Sequence, residues 1–449
     1  MMRAKSAELF LRNRRFIAGG VVSLNRKVQP EIAFVRGQGA YLWDADGNRY
    51  IDYHAGFAPT LLGHADPDVD EAVLQAISAG QVLTGTGTTT WEGRLAELLV
   101  ECVPNLEKVQ ITNTGSEATY HAIRLARSYT GKEHVVVMQG GYNGWHDDVA
   151  CNVMTPLEKV GPFVSPGEYP YLPLSAGVPK DVARRVHVVN FNDLDSVDWV
   201  FSKYPVACLI TEPILQNIGV VRPKPGYLAG LRRLCDKYGV VLVFDEVKTG
   251  FRHALGGFQS IANVKPDLSV FGKAIANGYP IGAIGGKEEI MNLFDAADET
   301  RRVLIAGTYN GHPVPVAAAI ATIEKLKNQE NTIYSKLETL GKRMEDGLLS
   351  LCRDLGITAC VGRQGSAFCL YFMDHHPDNW HDLAEHHDMA KDLQYRRALI
   401  DRGVYHFPLP TKQGSISASH TPDDIDETLA ITRDVLQSLV EAKIAAASP

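Results

Sequence analysis

The chain has 449 residues, of which 45% are hydrophobic and 22% charged, a composition typical of a folded globular protein and not of a disordered or low-complexity one. The formal net charge of −7, without a long basic run, argues against a general nucleic-acid binder. No apolar run approaches the roughly 18 residues of a membrane span, and the first residues form no signal-like apolar region, so we expect no membrane partner and a cytoplasmic protein.

The first 75 residues contain a predicted hairpin. Residues 40–52 form two β-rich stretches that meet at Asp46-Gly47, a pair typical of a tight turn. The Asp-x-Asp-Gly pattern here also resembles the start of a calcium loop, but the later Glu of such a loop is missing. The sequence therefore favours a turn.

Short β-rich runs then alternate with helical patterns, which is typical of a mostly parallel sheet covered by helices. Five runs stand out in the sequence, at residues 109–113, 134–138, 206–211, 240–245 and 268–271. Between the third and the fourth, residues 225–238 carry leucines at helical spacing, and Gly239 follows as a C-cap. This stretch predicts one βαβ unit.

The C-terminal third predicts long helices interleaved with short strands. We expect helices at 314–326, 334–351, 382–402 and 424–442, and strands near 366–372 and 415–419. The sequence thus predicts an α/β protein with a mostly parallel central sheet in a large domain, residues 76–324. A smaller α+β domain would be built from both chain ends, residues 1–75 and 325–449.

Two strand ends carry charged residues suited to catalysis. Asp245 ends the fourth run, and Lys273 follows the fifth one after a glycine. Ligands bind open α/β sheets at the carboxyl ends of the strands. A lysine and a carboxylate at this edge could bind the aldehyde and the ring nitrogen of pyridoxal 5′-phosphate (PLP), but they could equally form a structural ion pair.

The segment Thr112–Ala118 follows the first run and opens a helix. Its apolar face comprises Ala118, Ala122, Leu125 and Ala126. The free N–H groups at such a helix start favour an anion, and Ser116 adds a hydroxyl group. By itself the segment fits a plain N-cap; together with Asp245 and Lys273 it predicts a phosphate site.

The spacing of the histidines and cysteines does not predict a metal site. His375, His376, His386 and His387 lie among acidic residues in a polar stretch, which favours a solvated face. The closest two of the seven cysteines are eight residues apart, so neither a CxxC redox motif nor zinc spacing is present.

Several motifs together resemble the class III aminotransferases of the fold type I PLP enzymes. They are Asn113-Thr114-Gly115-Ser116-Glu117-Ala118, Gly141-Tyr142, Glu212-Pro213, residues 245–252, Gly272-Lys273 and Gly307-Thr308. The likeness runs from about residue 6 to 440. Within the class, residues 18–26, 264–268, 280–286 and 306–313 are most similar to the glutamate-1-semialdehyde 2,1-aminomutase branch.

The resemblance implies a role for each matching residue. Lys273 would carry the cofactor and act as the catalytic residue, and Asp245 would be the partner of the pyridine nitrogen. Gly115 and Ser116 would hold the phosphate. The other positions are Tyr142, which would stack on the ring, Val247 on its opposite face, Glu212 and Asn217 near the ring hydroxyl, and Thr308, a phosphate ligand supplied by the other subunit of a homodimer.

Substrate recognition is implied at one further position. Arg26 stands where the aminomutase branch places an arginine for a substrate carboxylate, and a guanidinium suits bidentate binding. The alternative is that Arg26 only pairs with a surface acid.

Three departures from the aminomutase pattern bear on the reaction. The usual His after Tyr142 is Asn143, and the loop after Met154 lacks small residues. Lys412 aligns with an acidic residue of the aminomutase substrate site. We therefore expect an aminotransferase that moves an amino group between an amino acid or amine and a keto acid or aldehyde. The alternatives are an aminomutase or racemase using the same site, or a non-catalytic PLP-binding regulatory protein.

Overall fold

The structure is a computed structural model that describes residues 1–447, with side chains described up to residue 441. Within this range the strands are β1 (Phe34–Gln38), β2 (Tyr41–Asp44), β3 (Arg49–Asp52), β4 (Lys108–Thr112), β5 (His134–Met138), β6 (Val186–Val189), β7 (Val206–Thr211), β8 (Val241–Asp245), β9 (Leu268–Gly272), β10 (Gly282–Gly286), β11 (Cys360–Gln364), β12 (Ala367–Tyr371), β13 (Val404–Tyr405) and β14 (Gly414–Ser415).

The helices of the same range are α1 (Ala4–Asn13), α2 (Pro67–Ser78), α3 (Thr90–Cys102), α4 (Gly115–Thr130), α5 (Leu157–Val160), α6 (Leu194–Lys203), α7 (Tyr227–Tyr238), α8 (Phe258–Ala262), α9 (Glu288–Met291), α10 (Pro313–Asn328), α11 (Glu330–Asp354), α12 (Trp380–His386), α13 (Met389–Ile400) and α14 (Pro422–Ala447). Among the described residues, no helix combines the length and the apolar character needed to cross a membrane.

Residues 67–334 and 377–386 form one compact unit, the central unit. Its seven-stranded sheet has the order β4-β10-β9-β8-β7-β5-β6. β10 is antiparallel to both of its neighbours, and the other four pairings are parallel. The predicted α/β class with a mostly parallel sheet is confirmed, and the carboxyl ends of β4, β9, β8, β7 and β5 share one edge.

The packing of α4 against the central sheet determines where its first turn lies. The predicted face of Ala118, Ala122, Leu125 and Ala126 is completely buried in the core of the central unit. Small side chains on this face allow the helix to lie close to the sheet. Its first turn is thereby held at the carboxyl edge of the sheet.

Two strands of this sheet were not predicted. β6 is short, and β10 has the sequence Gly-Ala-Ile-Gly-Gly, whose glycines disfavour an extended strand in isolation. The packing around β10 requires its glycines. A Cβ on Gly282 would lie 2.4 Å from Thr114 O, and one on Gly286 would lie 2.1 Å from Asp267 O. Close backbone approach outweighs strand propensity here.

Residues 1–66, 335–376 and 387–449 form the terminal unit. It contains a four-stranded sheet, β1-β2-β3-β13, and a three-stranded sheet, β11-β12-β14. The predicted hairpin at residues 40–52 is confirmed as β2 and β3, and Gly47 has a φ of +90° in the turn. Asp44 Oδ1 accepts hydrogen bonds from the N–H groups of Asp46 and Asn48, so this carboxylate closes the turn.

Three expectations for the C-terminal third were wrong. The single helix predicted at 382–402 is two helices, because Asp388 caps a new helix, α13, by accepting a hydrogen bond from Lys391 N. His387 is not solvated: its side chain is buried, and its Nε2 lies 3.1 Å from Asp392 Oδ2. The strand expected at 415–419 pairs only over Gly414–Ser415.

Candidate active site

The carboxyl edge of the central sheet collects the polar residues that the sequence singles out. Asp245 is the last residue of β8, Lys273 follows β9, Glu212 follows β7, and α4 begins three residues after β4. Seven residues line a small cavity at this edge: Tyr142, Glu212, Asn217, Asp245, Val247, Lys248 and Lys273. Six of them were predicted as site residues.

Asp245 is the buried carboxylate of this cavity. Its side chain accepts a hydrogen bond from Asn143 Nδ2 (2.8 Å) and one from Val247 N (3.0 Å). Burial raises the pKa of Asp245, while these two donors and the positive charge of Lys273 lower it. The donors therefore favour the carboxylate over the neutral acid.

Lys273 is the amine of the cavity. Its backbone φ is +47°, in the left-handed region that few non-glycine residues adopt, and such strain is typical of functional sites. Burial lowers the pKa of Lys273, and Asp245 and Glu212 oppose this effect. Burial thus increases the share of Lys273 present as the neutral, nucleophilic amine near neutral pH.

The start of α4 has unused hydrogen-bond donors. Thr114 is the N-cap and accepts from Glu117 N, and Glu117 in turn accepts from Asn113 N. Neither the N–H of Gly115 nor that of Ser116 donates to an acceptor within the described residues. The segment is therefore an N-cap, as one interpretation expected, and it also keeps two N–H groups for an anion.

Gly115 and Val247 lie in close contact. A Cβ on Gly115 would come within 2.7 Å of Val247 Cγ2, so only glycine fits here. Val247 also lies against Gly272, where a Cβ would be 3.4 Å from Val247 Cγ1. Val247 thus links the start of α4 to the residue before Lys273.

Glu212 is a second buried carboxylate. It accepts hydrogen bonds from Tyr142 N and Gln216 N, both at 3.0 Å. Burial raises the pKa of Glu212 and the charge of Asp245 raises it further, whereas Lys248 lowers it. Asn217, the residue after Gln216, lines the cavity and donates to Gly140 O at 3.4 Å.

Two predicted residues lie neither in the lining of this cavity nor at the start of α4. Thr308 lies in an exposed segment, residues 306–309, which is followed by Asn310, whose Oδ1 accepts from Asn113 Nδ2 at 2.9 Å. Arg26 is exposed in a 3₁₀ turn of the terminal unit, and it forms no ion pair within the described residues. The pairing of Arg26 with a surface acid is therefore not seen there.

Sequence reasoning missed two residues of the site. Asn143 was recognised only as a departure from the usual His, and its bond to Asp245 was not foreseen. Lys248 stands in the Asp245–Arg252 motif and lines the cavity, yet no role was given to it. The sequence signal that could have pointed to Lys248 is its place directly after Val247, inside a motif that already supplies two site residues.

The residues present fit PLP. An amine with a lowered pKa suits the aldehyde, a buried carboxylate with two donors suits the pyridine nitrogen, and two unused N–H groups at a helix start suit a phosphate. The close contact at Gly115 keeps side chains away from the helix start. All the residues that carry this fit belong to the central unit.

Comparison with known proteins agrees with this chemistry. The family described as aminotransferase class-III matches residues 23–405. A glutamate-1-semialdehyde 2,1-aminomutase of Acidobacterium capsulatum is 37% identical over 95% of this chain and 97% of its own. An omega-transaminase structure from Sphaerobacter thermophilus is similar with a TM-score of 0.88 and 31% identity, covering 97% of both chains. A transaminase structure with PLP bound has a TM-score of 0.86 and 26% identity, covering 99% of both chains.

Proposed function

This chain belongs to the class III aminotransferases and is a PLP-dependent enzyme, and from that premise we propose how its own residues carry the amino-group transfer. One observation carries the proposal. Lys273 and Asp245, at the ends of neighbouring strands, line the same small cavity, and they lie beside a helix start with unused N–H groups. Intact residues at both positions also argue against a non-catalytic regulatory protein.

When bound, PLP supplies an electron-accepting ring and an aldehyde that exchanges its lysine for the substrate amine. Lys273 Nζ would hold the cofactor before substrate arrives. Once released, the amine would take the proton from the substrate carbon and return it to the cofactor carbon, as general base and then general acid. The lowered pKa of Lys273 suits both steps. The neutral amine can accept the proton as a base, and the ammonium group so formed gives it up readily as an acid.

The other residues would bind and orient. Asp245 would pair with the ring nitrogen and keep it protonated, while Asn143 and Val247 N hold its carboxylate. Gly115 and Ser116 would bind the phosphate at the start of α4. Tyr142 and Val247 would enclose the two ring faces, and Glu212 with Asn217 would lie near the ring hydroxyl.

Chemical trapping tests the assignment of Lys273. Borohydride reduction of the purified protein should fix the cofactor to one peptide, and mapping should place it on Lys273. Lys273→Ala should yield no covalent adduct, whereas Lys287→Ala, a surface control at the end of β10, should leave the adduct intact. An adduct on any other lysine in the wild type would show that the assignment is wrong.

We propose intermolecular amino transfer as the main reaction. Lys412 stands where the aminomutases place an acidic substrate-site residue, and the omega-transaminase likeness supports the same reaction. The 37% identity to an aminomutase favours the second candidate, an intramolecular shift. Turnover with and without an added keto acid separates them, because only the intermolecular reaction needs an acceptor.

Substrate class, assembly and location complete the proposal. Arg26, which is exposed and forms no ion pair among the described residues, would bind a carboxylate of the amino donor. Thr308, in its exposed segment, would complete the phosphate site of a partner subunit in a homodimer. The seven cysteines are all free, which supports a cytoplasmic enzyme.

A further inference from the structure

Lys248 is the charged cavity residue that the mechanism above does not use. It lines the cavity together with Asp245, Glu212 and Lys273, so two lysine amines and two carboxyl groups share one small cavity. Its side chain is half-buried. A long flexible side chain kept in such a place needs an anchor, because it loses its rotamer freedom there.

The anchor is the backbone of Gln216. Lys248 Nζ donates to Gln216 O at 2.9 Å, and Gln216 N donates to Glu212 Oε2 at 3.0 Å. Gln216 therefore binds Lys248 through its backbone carbonyl and Glu212 through its backbone N–H. The side chain of Gln216 is itself fixed, since its Nε2 lies 2.6 Å from His253 Nε2.

We propose that Lys248 is a positioning residue of the cofactor site, a fixed cation that favours the ionised form of Glu212 and negative charge on the cofactor at the Glu212 side of the cavity. The inference deepens the proposed function and rests on PLP binding at Lys273. It adds a second acid and base, Glu212 and Lys248, to the Asp245 and Lys273 that line the same cavity.

Electrostatics within the protein agree with this role. Burial and the charge of Asp245 both raise the pKa of Glu212, and Lys248 heads the influences that lower it. His253, the neighbour of Gln216 on the other side, has a pKa lowered to about 3 by burial and by Arg252, so it stays neutral near neutral pH. Lys248 is thus the cation that offsets the burial of Glu212.

The test is a spectrophotometric pH titration of the holoenzyme without substrate. Bound PLP changes its absorption when its link to the protein loses a proton, and a nearby cation lowers the pH of that change. Lys248→Met keeps much of the side-chain length but removes the charge. We expect the midpoint to rise by about one to two pH units, the size of a single charge acting over a few ångströms in a partly buried site.

Three further variants make the outcome decisive. Lys248→Arg keeps the charge and should keep the midpoint within about 0.3 unit of wild type. Lys237→Met removes a surface ammonium that pairs with Asp198 at 3.0 Å, and should not shift the midpoint. In a Glu212→Gln background, Lys248→Met should raise the midpoint at least as much, because the lost charge is then not offset by protonation of Glu212.

Two results would overturn the inference. A Lys248→Met midpoint no further from wild type than that of Lys237→Met would show that the charge is not sensed at the cofactor. Equal shifts for the Met and Arg variants would show that packing, and not charge, matters. Failure of the proposed function is separate, since it would appear as wild-type protein without a cofactor adduct on Lys273.

Discussion

The hydrogen bond from Asn143 to Asp245 gives the sharpest prediction. Asn143 and Asp245 are each only 3% exposed, and Asn143 Nδ2 lies 2.8 Å from Asp245 Oδ2. Asn143→Leu keeps a similar volume but removes the donor. A buried hydrogen bond to a charged group contributes about 1.5 to 3 kcal/mol, and one pKa unit corresponds to about 1.4 kcal/mol. The pKa of Asp245 should therefore rise by about one to two units.

The direction in which the pH profile of Asn143→Leu moves depends on which protonation form of Asp245 is active. In the proposed mechanism the ionised carboxylate would hold the ring nitrogen protonated, so activity should fall where Asp245 takes up its own proton. Because burial already raises the pKa of Asp245, a further rise brings this loss toward neutral pH. We expect the acidic limb of the kcat/KM profile to move up by the same one to two units, with activity recovering at higher pH.

The assay compares pH profiles of wild type with two variants beside Asn143→Leu. Asn143→His restores a ring N–H that can donate, and its limb should stay within about half a unit of wild type. Asn190→Leu is the matched control: Asn190 is equally buried at the end of β6, and its Nδ2 donates to Tyr169 OH at 2.7 Å, away from Asp245. Its limb should not move.

One result would refute the reasoning. If Asn143→Leu lost activity equally at every pH while retaining its cofactor, the hydrogen bond would orient Asp245 without tuning its charge. The electrostatic account of Asn143 would then be wrong.

Three further predictions concern single residues of the proposed site. Asp245→Asn should bind PLP but lose several decades of kcat, at about 1.4 kcal/mol per tenfold, because it removes the anionic partner of the ring; near-normal turnover at full occupancy would contradict this role. Arg26→Ala should raise KM for an amino acid far more than for the matched decarboxylated amine, because a charged hydrogen bond contributes about 1.5 to 3 kcal/mol; equal changes in steady-state kinetics would exclude carboxylate recognition. Thr308→Ala should weaken PLP binding in a protein that sediments as a dimer; a fully active monomer in sedimentation would refute the shared phosphate site.

Much of the sheet could be predicted because buried parallel strands have a strong sequence pattern. The runs at 134–138 and 206–211 coincide with β5 and β7, since Val, Ile and Leu fill both faces of these strands. The helix α7 ends at Tyr238 before Gly239, which has the left-handed φ of +60° expected of a C-cap. Local composition was sufficient for these elements.

Other features depend on distant partners, which composition does not reveal. β10 is a strand because its glycines fit between the backbones of β4 and β9. At the break before α13, the cap at Asp388 is local, but the burial of His387 beside Asp392 is not visible in the polar composition of this stretch. Asn143 and Lys248 became recognisable as site residues only when their hydrogen-bond partners were placed, because neither residue type indicates a cofactor site by itself.

The glycine-rich strand β10 also fixes the distance between its two neighbours, β4 and β9. Gly282 pairs with Thr112 of β4 on one side and with Gly272 of β9 on the other. Two strand spacings of about 4.8 Å therefore set the separation between β4, which leads to the proposed phosphate site, and β9, which leads to Lys273. This separation is fixed by backbone hydrogen bonds that few side-chain substitutions can alter. The surrounding loops can then change in sequence while the proposed phosphate site and Lys273 keep their distance.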